Sequence, residues 1–279
     1  QIAVPLRMYH AWQRTQLVGG TPPDLMELLP SVREEDLVQY YRDLTPALLA
    51  SNPHNDGTSL ADRPWRETFV TNLGETPNFV STLLRYYSVP GSIVTWRLVY
   101  NEALLRDEFG LAAPPRTVTE LAAQCDHIAR VSRQRGLGVV PLVAENWKGR
   151  ALLMGIARSA TASLQLALDP LGTYYNWDDE LAAAFLLGRW SFDTPAWRDA
   201  LAQMRAVGRH LPGGFLQLAD GDGSFKFTQG RAVFFVAVSR EFTNLIDQCE
   251  FSLGVADLPQ ADSPGARPVA EGNVLSLAS

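Results

Sequence analysis

The sequence predicts a two-lobed α/β protein, and three observations carry that reading. Two continuous apolar runs of strand length, 139–143 and 232–238, have the character of strands buried on both faces. Between and around them lie segments with apolar residues at helical spacing, such as Val118, Leu121, Cys125 and Ile128. The stretch 89–121 then reads strand, short helix, stiff double proline and capped helix, which is how a chain passes from one body to another.

Each part of that passage has a local cause. Residues 92–100 are rich in Ile93, Val94, Thr95, Trp96, Val99 and Tyr100, β-branched or aromatic side chains that favour a strand. Asn101 caps a short helix over 102–109, and Gly110 closes it where a left-handed residue is needed. Pro114 and Pro115 forbid immediate resumption of a helix, after which Thr117 and Glu120 form a capping box.

Before this passage, residues 2–6 read as a short strand and 10–18 as a helix ending in the breaker cluster 19–23. Residues 24–29 follow, then the apolar-aromatic run 37–49 and a polar loop over 51–63. Apolar residues at helical spacing over 65–87 predict a helix burying Phe69, Leu73, Phe79, Leu83 and Leu84, and Trp65 reads as core or as an aromatic platform for a ligand. After the passage, the helix from Val118 ends in Arg130, Arg133 and Arg135 and stops at Gly136. The strand 139–143 opens directly on Glu145, Asn146 and Trp147. Residues 150–168 and 178–187 are helical in pattern, with a polar-aromatic loop at 172–177. A further helix begins near Pro195, with Trp197, Leu201, Met204 and Val207 as its buried stripe and Gly208 as its stop. Phe227 anchors a helix end, Gly230 turns the chain, and 232–238 forms a strand ending at Ser239, which can cap the next helix. A strand over 251–259, a polar segment 260–268 and a last strand near 269–275 complete the chain.

Bulk properties narrow the function classes. A chain of 279 residues with 46% apolar and 19% charged residues can bury a substantial core. A net charge of −6, with no Lys/Arg run and interleaved aromatics, argues against a nucleic-acid surface. No apolar run reaches membrane-spanning length, and no signal peptide is visible. Two cysteines, Cys125 and Cys249, make neither a disulfide framework nor a metal motif, and both read as unpaired. Four scattered histidines give no zinc spacing, and neither a nucleophile elbow nor a phosphate loop occurs, so no cofactor and no metal are expected. Asp220 to Gly223 hints at a calcium loop, but the twelfth position is Arg231, and it reads as a surface turn.

Four stretches together resemble the family 1 extracellular solute-binding proteins, the sugar-type receptors of ABC importers. They are 89–121, the run after Gly19 through Leu28, the strand 139–143 with Glu145 and Trp147, and Phe227-Thr228-Gln229-Gly230-Arg231-Ala232 with its following strand. The resemblance implies a periplasmic-binding-protein-like fold of type II, with two α/β lobes joined by a hinge. It places the first lobe at 1–110 with 262–279 returning to it, and the second at 113–258, with hinge crossings near 110–115 and 260–268. Family members are longer at both ends, so the sequence reads as a fragment lacking the first strand and helix and the terminal helices.

The resemblance also implies a ligand-binding cleft. Its candidate residues are Glu27, Leu28, Ser31, Trp96, Glu145, Trp147, Arg240, Glu241, Phe242, Gly272 and Asn273. Aromatic faces would stack on a sugar while carboxylates, amides and Arg240 satisfy its hydroxyls. Asn273 stands where the family usually has a second small residue. Implied partners are a small sugar ligand and the transmembrane subunits of an ABC permease, with the receptor monomeric, outside the cytoplasm, and either lipid-anchored or free. The alternative is a carbohydrate-active hydrolase using Glu145 and Glu241, because glycoside hydrolysis needs two facing carboxylates.

Overall fold

A computed structural model describes residues 4, 6–28, 32–69, 73–74, 78–169, 178–219, 221–267 and 272–278. The chain divides into two compact units: 1–93 with 171–175 and 274–279, and 94–170 with 176–273. Ser31, the 172–177 loop, Asp220 and most of the strand expected at 2–6 lie outside the described residues.

The first unit is built from short elements. Its helices are α1 (Leu6–Val18), α2 (Glu34–Tyr40) and α3 (Thr45–Leu49), with β1 (Met26–Leu28) following α1. Residue 6 is already helical, where the sequence suggests the end of a strand. Met26, Leu28, Leu37, Tyr41 and Tyr87 form one buried cluster. Gln13 is buried beside it and donates from Nε2 to the Tyr41 hydroxyl (2.9 Å) and to the Glu27 carbonyl (3.1 Å). Tyr9 donates to the same carbonyl at 2.7 Å. Burial pushes the Tyr41 hydroxyl pKa up, so it stays a neutral member of this network.

The helix expected over 65–87 does not form. Trp65–Thr68 is one 3-10 turn, and Phe79–Val80 (β2) and Arg85–Tyr86 (β3) pair as an antiparallel hairpin. Gly74 and Pro77 interrupt the helical pattern, and the Phe79 and Tyr86 rings meet across the hairpin at 4.9 Å. Leu73 is buried as expected, whereas Leu84 sits in the hairpin turn at φ 53° and is 61% exposed. The strand β4 (Val89–Asn101) runs from this unit into the second.

In the second unit Asn101 accepts a hydrogen bond from the Leu104 amide at 3.0 Å, as its capping role requires. Leu104–Glu108 is a single π-helical turn, and Gly110 follows at φ 66°. Helix α4 (Val118–Arg135) starts with the Thr117–Glu120 capping box, ends at left-handed Gly136, and buries Val118, Leu121, Cys125 and Ile128. Then come β5 (Val140–Val143), α5 (Asn146–Ala167), α6 (Asp178–Leu186), α7 (Pro195–Gly208), α8 (Asp222–Thr228), β6 (Ala232–Val238), α9 (Phe242–Gln248) and β7 (Leu253–Ala256). On α7 the stripe differs from expectation: Ala200 and Val207 are buried, but Leu201 is 46% exposed. Both cysteines are free thiols.

Strand β6 is central. It pairs antiparallel with β4 and parallel with β5, and all seven of its residues are buried, which explains its unbroken apolar sequence. Pro141 is tolerated in β5 because, among the described residues, that strand is an edge. Strand β7 pairs antiparallel with the end of β4, Leu98 opposite Ala256.

Two consequences bear on the lobe boundaries read from sequence. Residues 94–110, expected in the first lobe, group with the second unit, because Trp96–Tyr100 pair with β6 and Leu98–Asn101 with β7. Segments 110–115 and 260–267, expected as crossings, also lie within the second unit. The Val118 amide donates to the Gln260 carbonyl and the Gln260 amide to the Arg116 carbonyl, and the loop after Gln260 is fastened to α4, α5 and α7. The chain changes unit inside β4 and inside β8 (Gly272–Ala278), which pairs antiparallel with β1, as well as on either side of 171–175.

Candidate functional site

Because β5 and β6 are parallel neighbours, their carboxyl ends open at the same edge of the second unit's sheet, the edge where α/β proteins place ligands. Trp96 stands opposite Val238 in β4, beside the end of β6. Trp147, in the first turn of α5 just beyond β5, meets Trp96 edge to face with ring centroids 4.8 Å apart. The sheet thus brings together two indoles that are distant in sequence. Trp96 is buried and Trp147 half-buried.

The carboxylates at this edge are arranged around a lysine. Lys148 is 3% exposed, and its Nζ lies 3.2 Å from Glu145 Oε1 and 3.0 Å from Glu241 Oε2. The ammonium also sits 4.4 Å from the centroid of the Phe235 ring and 5.7 Å from that of Trp147. Glu145 is wholly buried: Oε1 additionally accepts from the Gly221 amide (3.1 Å), while buried Oε2 has no hydrogen-bond partner. Glu241 is partly exposed, and its Oε2 also accepts from the Val238 amide at 3.3 Å.

The remaining expected residues fall as follows. Arg240 is exposed, and Phe242 is half-buried and packs against the core under Val143 and Phe227. Ser239 does not cap α9; its hydroxyl accepts from the Thr95 amide at 3.1 Å and ties β4 to the end of β6. In the first unit Leu28 is buried in the Met26–Tyr87 cluster, and Glu27 is half-buried in β1 with its carbonyl taken by Tyr9 and Gln13. Gly272 and Asn273 begin β8, and their side chains lie outside what is described. Trp65 is half-buried against Phe69. A separate cavity of about 230 Å³ in the first unit is lined by His10, Arg14, Leu17, Asp36 and Tyr40 among others, and by none of the expected site residues.

Sequence reading missed Lys148. Its signal was present, since Glu145 and Lys148 are three apart at a helix start and therefore share a face. Among the described residues no group of His, Cys, Asp and Glu could hold a metal, and no helix is long and apolar enough to cross a membrane.

These two units define a mixed α/β protein with the type II periplasmic-binding-protein-like fold. Solved structures similar to the chain include solute-binding proteins. One is a family 1 extracellular solute-binding protein from Bifidobacterium longum subsp. infantis, at 16% identity and TM-score 0.63, with 100% of this chain and 63% of that chain covered. A second is an ABC transporter solute-binding protein from Thermotoga lettingae bound with α-D-tagatose, at 17% identity and TM-score 0.61, covering 98% and 62%. A third is maltose-bound MalE3 of T. maritima, at 21% identity and TM-score 0.58, covering 96% and 60%. The likeness at these identities is one of fold, and the chain spans somewhat under two thirds of the length of these proteins. No protein-family model and no curated protein matches the sequence.

Proposed function

We propose that the chain is part of an extracytoplasmic receptor of an ABC importer that binds a carbohydrate without altering it. The observation that carries this reading is the likeness of fold, over 96% and 98% of the chain, to proteins solved with maltose and tagatose. The Trp96–Trp147 pair at the carboxyl edge of β5 and β6 supports it, since indoles offer the apolar surface on which a sugar ring packs. Glu241 and Arg240, partly exposed at the same edge, supply an acceptor and donors for hydroxyls. Glu27 and Ser31 are the proposed contributors from the other lobe, Gly272 and Asn273 are proposed contributors at the crossing in β8, and closure about the crossings in β4 and β8 is the proposed motion. A permease would recognise the closed receptor.

The hydrolase alternative is weakened by the same geometry. Glu145 is wholly buried, and both of its proposed catalytic carboxylates bind one ammonium, whereas glycoside hydrolysis needs acids that reach the scissile bond. Thermal-shift titration with maltose, raffinose and tagatose, followed by mass spectrometry of the recovered sugar, tests both readings. Stabilisation with intact sugar is expected; cleavage, or no shift with any carbohydrate including those that co-purify, overturns the receptor reading.

A further inference from the structure

Lys148 belongs to no part of the predicted binding set, yet it is the most buried cation at the candidate edge and touches four of its side chains. Burying an ammonium between two carboxylates is costly in desolvation, and hydrophobic residues of similar size would hold a core as well or better. Such a cluster is therefore explained by what it orients. Here it joins three chain segments: the start of α5 through Glu145, the turn before α8 through the Gly221 amide, and the end of β6 through Glu241.

We propose that Lys148 is the positioning residue of the ligand face. It holds Glu241 by Oε2 from one side while the Val238 amide holds the same oxygen from the other, so the carboxylate is fixed with Oε1 left to accept from a sugar hydroxyl. It fixes the first turn of α5 through Glu145 and packs its ammonium over Trp147, so that Trp147 keeps its edge-to-face contact with Trp96. Glu145, with one oxygen on Lys148 and Gly221 and the other sealed against Gly223, is an anchor for the lysine and never meets the ligand. This assignment rests on the proposed binding face, but its first readout needs no ligand.

Two indoles at 4.8 Å and 69° give a coupled ultraviolet circular-dichroism band, which a W96F variant identifies by difference. K148R is expected to keep the Trp96-dependent band and K148M to lose it while still melting cooperatively. The double variant E145Q/K148M removes the wholly buried charges together and carries the same test should K148M fail to fold. Retention of the band in a folded K148M or double variant overturns the proposal, as does absence of the band from the wild-type chain. Failure of both variants to fold overturns it too, because Lys148 then serves the fold rather than the face. In maltose titrations K148M is expected to bind more weakly than K148R; if the wild type binds no sugar while the band behaves as stated, the receptor reading falls and the positioning role stands.

Discussion

At Gly223 two effects of opposite sign meet. A glycine in the first turn of α8 costs helix stability, and alanine would recover at most about 1 kcal/mol. A Cβ there would, however, lie 2.3 Å from Glu145 Oε2 and 3.3 Å from the Phe235 ring. Glu145 cannot withdraw, because Oε1 is held by both Lys148 and the Gly221 amide inside a closed core. Overpacking of this kind costs about 1–3 kcal/mol, so the clash outweighs the propensity gain. Gly223→Ala is therefore expected to lower the urea midpoint by a net loss of about 1–2 kcal/mol with an unchanged slope. A raised midpoint would show that the carboxylate has room to move. At this scale the sequence disclosed residue types but not their directions. Glu145 and Trp147 stand two apart, yet one turns wholly inward and the other meets Trp96, because the entry into α5 decides where each points.

Elements with strong local signals formed where the sequence placed them: the capping box at Thr117, the left-handed stops at Gly110 and Gly136, and the buried strand 232–238. Helical spacing over 65–87 misled, since a few apolar residues three or four apart also fit a hairpin when Gly74 and Pro77 cut the run. The polar segment after Gln260 misled differently. The family resemblance implied a hinge crossing there, but its polar groups are spent on fastening it to helices. The Thr119 amide donates to Asp262, Gln203 accepts from the Asp262 amide and donates to Ser263, and Ser163 donates to the Gly265 carbonyl. Ser159, buried on α5, donates to the Arg267 carbonyl (2.8 Å) and accepts from the Ala261 amide (3.0 Å). Ser159→Ala leaves that buried amide without its acceptor, a loss of about 1–3 kcal/mol. The expected outcome is a lower melting temperature and faster hydrogen exchange confined to 260–267. Uniform exchange across the second unit, with no local increase, would show that this segment is not held through Ser159.

Across the molecule, the two units differ in how much of their structure is self-supporting. The first has helices of 13, 7 and 5 residues and strands of two or three outside β4 and β8. Isolated helices of that size are marginal in water, so its stability comes from small clusters such as that of Met26 and Tyr87. The second has helices of 18, 22 and 14 residues, the 22-residue one packed on β6, a strand buried along its whole length. Opening free energies follow buried apolar contact, so the first unit is the lower-stability cooperative block. Native-state hydrogen exchange in rising urea should release the amides of α1 and α2 at lower denaturant than those of β6 and α4. The amides of β6 should exchange only with complete unfolding of the second unit. In a variant with Trp12 and Trp65 replaced by phenylalanine, the remaining tryptophan fluorescence reports the second unit, through Trp96, Trp147, Trp190 and Trp197 among others, while helix content reports both, so fluorescence and far-ultraviolet unfolding curves should fail to coincide. Coincident curves and a single exchange isotherm would mean that β4 and β8, the two strands through which the chain passes between units, couple them into one cooperative block. A receptor that works by closure needs units that keep their own integrity while the strands between them bend, and units that unfold separately meet that need.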